Sequence, residues 1–349
     1  MKTHLFLGLA ALLSACGGTA AAPADDAGPP DGAVVDSAPD GVATDASLDA
    51  AAVAPIASMN RARALFGAVT GKDQKVRAFG GLTNLGLSAS VETYDPQADA
   101  WTVGPNAKLG RYAHAVALGA DDRAYVIGGT KDGATALASV DVYDPKTDGW
   151  ISAPDLPTAR LGAGAAASVD GRIWVIGGGV PGKPEGAVEV FDPAKQTWAK
   201  GPDMPTPRLS LQAVRASDGR IVAIGGRDAS ATPLDVVEIL DPSNGTWTKG
   251  PSLAVARYWF GATALGDGRV VVLGGIGAKG FVADVEVLEN GAWTALPPMP
   301  QRRAWLAVAP SAGRLLAIGG SIASIEPQPP PETSVLVFDV AKNAWGSAD

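Results

Sequence analysis

Adjacent glycines recur along the chain at Gly80-Gly81, Gly128-Gly129, Gly177-Gly178, Gly225-Gly226, Gly274-Gly275 and Gly319-Gly320, at intervals of 48, 49, 48, 49 and 45 residues. A fixed period of this length means one supersecondary unit repeated, each unit burying its apolar face only against its neighbours. Other residues keep step. Seventeen positions before each first glycine stands an arginine: Arg63, Arg111, Arg160, Arg208, Arg257 and Arg302. Between nineteen and twenty-six positions after it stands a tryptophan: Trp101, Trp150, Trp198, Trp247, Trp293 and Trp345.

Each unit reads as four strands, A to D. Strand A follows the arginine and is small and apolar, as in Leu161-Gly162-Ala163-Gly164-Ala165-Ala166, which suits the crowded centre of a ring. Strand B is an apolar run such as Ile173-Trp174-Val175-Ile176 that ends on the glycine pair. Between them Asp170-Gly171, Asp218-Gly219 and Asp267-Gly268 read as two-residue hairpin turns. Strand C alternates, as in Val91-Glu92-Thr93-Tyr94-Asp95, and Asp-Pro opens the turn into strand D at the tryptophan.

The order Arg, Gly-Gly, Val-Glu-x-aromatic-Asp and Trp resembles the kelch repeat, and the resemblance covers residues 56–349. It implies an all-β, six-bladed β-propeller with four antiparallel strands per blade, a ring with short protected edges. Counting ten positions back from Arg63 aligns Val53 with the tryptophans and Met59 with Met204. Both ends of the propeller are therefore expected at the junction of blades six and one, with Trp345 opening the outer strand of blade six.

Residues 1–15 read as a signal peptide: Lys2, an apolar run from Leu5 to Leu13, then Ser14-Ala15. The run is too short to span a bilayer, which takes about 20 apolar residues. Leu13-Ser14-Ala15-Cys16 resembles the lipobox of bacterial lipoproteins, and Cys16 is the sole cysteine. The resemblance implies cleavage before Cys16, lipidation there and a stable membrane tether. Gly17 stands where an aspartate would favour inner-membrane retention, so an outer-membrane location is the expectation. Residues 16–55 form an Ala/Pro/Asp linker without aromatic residues, read as disordered and reaching about 35 Å. Without this linker's acids the propeller is nearly neutral, which removes the case for a nucleic-acid partner.

Strand direction puts the A–B and C–D turns on one face and the B–C and D–A loops on the other, where kelch proteins usually bind ligands. The six arginines fall at the D–A to A boundary. They read either as a ring of anion-binding groups or as scaffold pairs for the strand C acids Glu92, Asp141, Glu189, Glu238 and Glu286. In blade six Leu336 replaces the acid, which singles out Arg302 as the arginine without a partner. Positions that vary between blades are the stronger candidates. Tyr112, His114, Tyr258, Trp259, Arg303 and Trp305 lie just after the arginines, and those of blades five and six put aromatic faces beside arginine, as a sugar or peptide site requires. The B–C loop of blade six is lengthened and holds Pro327, Pro329, Pro330 and Pro331.

These features favour a membrane-tethered, extracytoplasmic binding module, monomeric and without cofactor, for an envelope protein or a glycan. Galactose-oxidase-type copper chemistry is argued against, because that site resembles two histidines and two tyrosines with one tyrosine linked to cysteine. After Cys16, His114 is the only histidine here. Two other readings stay open: a sialic-acid-type sugar mutarotase, which needs only a placed acid/base and an arginine, and a structural envelope scaffold.

Overall fold

The computed structural model describes residues 53–322 and 330–346. Cys16, the signal peptide and almost all of the linker lie outside them, as do Pro327 and Pro329. Among the described residues there is no α-helix. Six four-stranded antiparallel sheets follow one another in chain order, each built A-B-C-D from the centre outwards. Blade three is representative: Gly164–Ala167, Ile173–Ile176, Val188–Asp192 and Thr197–Lys200. Strand A of blade one, Gly67–Thr70, lies against strand A of blade six, Ala307–Ser311, and this contact closes the ring. Three B–C connections, in blades one, three and five, carry an extra two-stranded ribbon.

The apolar core lies between blades rather than within them. Ile173 and Val175 pack with blade two, whereas Trp174 and Ile176, pointing the other way from the same strand, pack with blade four. Strand B therefore needs an unbroken apolar run, because both of its faces meet a neighbouring sheet. Strand A starts later than the sequence suggested. Leu161 and Gly162 precede it, with Gly162 in the left-handed region at φ 62°.

The A–B turns also differ from expectation. Ser168 N donates to Arg172 O and Gly171 N to Ser168 O, which makes a three-residue loop with a left-handed third residue rather than a two-residue turn. Blades one to five share this form. Blade six alone has a two-residue turn, Ala312-Gly313, with both φ values positive at 49° and 78°.

The seam falls where the spacing put it. Met59 N donates to Thr333 O as Met204 N does to Gly186 O, so the amino-terminal segment occupies the exit from blade six. Ala344–Trp345 forms that blade's outer strand, with Val53 packed into the core between blades six and one.

Three sets of hydrogen bonds repeat around the ring. In each blade the tryptophan indole donates to a carbonyl of the preceding blade's exit loop, as from Trp198 to Pro154 at 2.9 Å and from Trp101 to Ala57 at 2.9 Å. The second glycine of each pair donates to the backbone carbonyl of the next blade's arginine, from Gly81 to Arg111 round to Gly320 to Arg63, at 2.7–3.0 Å. Nearest the axis, Leu65, Ala113, Gly162, Ser210, Trp259 and Trp305 each donate N–H to the carbonyl of the one before. Leu65 takes Trp305 as its acceptor, giving a closed cycle at 2.7–3.2 Å.

The glycine pair is required at this joint. Gly225 has φ 54°, and a Cβ there would stand 2.8 Å from the Arg257 carbonyl and 2.9 Å from the Phe260 ring. Gly225→Ala combines that crowding with left-handed strain. It is expected to lower stability by roughly 1–3 kcal/mol, measured by urea unfolding.

Candidate functional site

Five of the repeat arginines, Arg63, Arg111, Arg160, Arg208 and Arg257, are buried at 0–2 % exposure and bound within their own blades, although the Nε of Arg111 and of Arg208 has no hydrogen-bond partner among the described residues. Arg160 donates to the carbonyls of Gly177 and Ala187 at 3.0 and 2.8 Å and pairs with Glu189 at 2.7 Å. Arg63 pairs with Glu92, Arg111 with Asp141, Arg208 with Glu238 and Arg257 with Glu286. Burial lowers the pKa of Arg63, Arg111, Arg208 and Arg257, and the paired carboxylates oppose that shift. The geometry of these five is that of interior struts rather than of an accessible anion-binding rim.

Blade six corrects the sequence reading. Arg303, not Arg302, enters the strut position, donating to the carbonyls of Gly319 and Ser334 at 3.0 Å each and to the Ser334 hydroxyl at 3.0 Å. The seventeen-residue spacing misassigns it because the A–B turn of blade six is one residue shorter. Leu336 does remove the carboxylate, and among the described residues the Arg303 guanidinium hydrogen-bonds only to neutral oxygens. Burial lowers its pKa to about 10, with only weak opposition from Glu332. Arg302 is exposed, and among the described residues its guanidinium makes no ion pair or hydrogen bond.

His114 is a packing residue. It aligns with Phe66, Leu211, Phe260 and Leu306, which wedge against the glycine pair of the preceding blade, and its ring stands over Gly80 in the same way. Among the described residues neither ring nitrogen has a hydrogen-bond partner. Burial, then the Arg111 charge with help from Arg63, pushes its pKa down to about 3 against a weak pull from the Phe79 carbonyl.

The aromatic candidates do converge. Tyr112, Tyr258 and Trp305 share one cluster around the axis with Leu65, Ala113 and Phe281, and Trp259 packs against it half-buried. Trp305 meets Phe281 edge-on at 5.3 Å. Tyr112 is buried, which raises its phenol pKa. Trp259 and Trp305 occupy the cyclic hydrogen-bond ring with φ 50° and 60°, a conformation unusual for large side chains. Blade three meets the same demand with Gly162. Both indoles also line the mouth of the central channel, a space of about 380 Å³ bounded by the inner strands.

One residue was not singled out by the sequence. Arg227, directly after the glycine pair of blade four, lies over the Tyr258 ring with its guanidinium carbon 5.6 Å from the centroid, a cation–π arrangement. Its signal was available: the other blades carry Leu82, Thr130, Gly179, Ile276 and Ser321 there, so Arg227 is the single charge at that position. Among the described residues no group of three or more His, Cys, Asp or Glu is placed to hold a metal ion.

A family model described as the KLHDC2/KLHL20/DRC7 Kelch-repeats domain matches residues 68–275, more than half of the chain. The protein belongs to the kelch-repeat family. A solved structure titled "Structure of YjhT" superposes with a TM-score of 0.71 at 20 % identity, covering 84 % of this chain and 99 % of that one, which establishes a shared fold. No curated protein sequence shows significant similarity.

Two outcomes test these assignments. Above pH ~6.5 His114 is neutral in both the folded and unfolded chain. Below that, the unfolded chain takes up a proton that the folded site refuses until about pH 3, so stability falls by about 1.4 kcal/mol per pH unit. His114→Phe should therefore lose about 2 kcal/mol less than wild type between pH 7 and pH 5 in urea unfolding. Arg160→Met strands Glu189 in the interior and should cost roughly 3–5 kcal/mol. Arg303→Met strands no charge, and the same unfolding assay should find it clearly milder.

Proposed function

We propose that this propeller is an extracytoplasmic binding module, tethered through lipidated Cys16 to the envelope at the outer membrane, and that it holds a protein or glycan ligand on the face of the B–C and D–A loops. The observation that carries this reading is the pair of tryptophans, Trp259 and Trp305, in left-handed backbone in adjacent blades. A pure scaffold would be served better by glycine there, as blade three is by Gly162. Strained positions of this kind concentrate at functional sites. The half-buried indole of Trp259 suits a sugar ring or a peptide anchor; Trp305 is buried against Phe281 and braces that sector, and Arg302, three residues before it, is an exposed cation.

Most of the departures from the six-fold pattern, Trp259, Trp305, Arg302 and Leu336, fall in blades five and six, with Arg227 of blade four reaching over Tyr258 of blade five, whereas an arginine strut recurs in every blade. That asymmetry supports recognition at one sector of the face rather than contact across the whole of it, as a structural envelope scaffold would make. A sugar-mutarotase reading has less support, because His114 is neutral and buried and among the described residues no carboxylate pairs with Arg302.

Trp259→Gly relieves backbone strain while removing an indole. If Trp259 serves binding, the variant melts at or above the wild-type temperature and loses a partner captured by pull-down or on a glycan array. Arg302→Gln should weaken capture without altering the melting temperature. If both variants capture the same partner as wild type, the site is elsewhere. Turnover of sialic acid anomers by wild type that disappears in Arg302→Ala would replace the binding reading with the enzymatic one.

A further inference from the structure

The A–B face, opposite the proposed binding face, is regular in five blades. The basic residue that begins strand B, or just precedes it, is ion-paired within its blade: Lys75 with Asp95, Arg123 with Asp144, Arg172 with Asp170, Arg220 with Asp218 and Arg269 with Asp267, at 2.6–2.8 Å. In blades three to five the acid comes from an Asp-Gly-Arg turn. Blade six reads Ala312-Gly313-Arg314 instead.

Arg314 is half-buried, and among the described residues its guanidinium makes no ion pair or hydrogen bond. Asp339 faces it across the sheet but accepts the Lys342 amide instead, at 3.0 Å. The shortened blade-six turn, set between longer ones, coincides with a cavity of about 580 Å³ bounded by blades five, six and one. Arg314, Ser311 and Gln74 line it, with Leu265, Pro310 and Val340 as apolar wall and Asp267 on the blade-five side. Ser311 is buried at 4 % exposure, and among the described residues its hydroxyl has no hydrogen-bond partner.

We propose that this notch is a second ligand site, on the opposite face from the first and independent of it, that takes a small organic acid with a single carboxylate. The space is of small-ligand size. Arg314 offers the bidentate fork that a carboxylate fits, Gln74 supplies neutral hydrogen bonding, and the apolar wall accepts the body of the acid. Asp267, although paired with Arg269, puts negative charge on the blade-five side and disfavours phosphates and dicarboxylates. The missing aspartate of the blade-six turn is thus the vacancy that the ligand carboxylate fills.

Ligand-observed NMR on the purified full-length chain tests this, with D-glucuronate and benzoate as probes and methyl glucoside and benzamide as their neutral counterparts. The acids should give saturation transfer and the neutral molecules none. Arg314→Gln should weaken the effect about tenfold or more. Ala312→Asp restores the Asp-Gly-Arg pairing in a turn that accepts Asp-Gly; it should abolish transfer with an unchanged or raised melting temperature, which separates loss of the site from loss of fold. Arg302→Gln and Trp259→Gly should leave transfer intact. Absence of transfer from either acid to wild type, or undiminished transfer in Arg314→Gln or Ala312→Asp, overturns the proposal.

Discussion

The joint between each glycine pair and the next blade's arginine governs the rest of this structure. The arginine works at both ends: its backbone carbonyl accepts the N–H of the preceding blade's second glycine, while its guanidinium reaches back into its own blade. Only glycine allows the two backbones so close, since a Cβ on any first glycine meets the neighbouring carbonyl. Buried ion pairs contribute little net stability, because desolvation offsets the attraction. Here their effect is positional. With Arg160 held by Glu189 and three carbonyls, the segment after it enters the axial ring in one conformation. Repeated six times, this makes the position of each blade depend on both of its neighbours.

That dependence decides where variation is allowed. The axial ring consumes backbone groups alone, so its side chains are unconstrained by the hydrogen bonding and range from Gly162 to Trp305. The left-handed backbone costs any residue with a Cβ about 1–2 kcal/mol relative to glycine, a cost that Leu65, Ala113, Ser210, Trp259 and Trp305 all bear; two neighbouring tryptophans stand out by size within that set. The same logic holds on the other face. Basic residues that are ion-paired at the start of strand B in five blades make the unpaired Arg314 in the sixth legible as a departure.

Much of this was written in the spacing of glycine, arginine and tryptophan. Six blades, their strand order and the seam at Met59 follow from periods that chance does not supply. The failures have separate causes. Counting residues assumes equal loops, and the turn at Ala312-Gly313 is one residue short of the three-residue loops elsewhere, so the count landed on Arg302 while the strut is Arg303. His114 looked chemical because of its residue type, yet its register is that of Phe66 and Phe260, a packing position that alignment of the repeats contains. The Arg227 contact with Tyr258 joins two blades through side chains, and no spacing within one repeat encodes it. The cavity beside Arg314 likewise depends on three blades meeting.

Hydrogen exchange of the ring amides tests the central claim, that the three hydrogen-bonded rings make the propeller one cooperative unit. The amides of Gly81, Gly129, Gly178, Gly226, Gly275 and Gly320, with those of Leu65 to Trp305 in the axial cycle, should exchange only through global unfolding, with one common free energy that matches urea denaturation. A spread of protection from blade to blade, with any of these amides opening well below the global value, would contradict it.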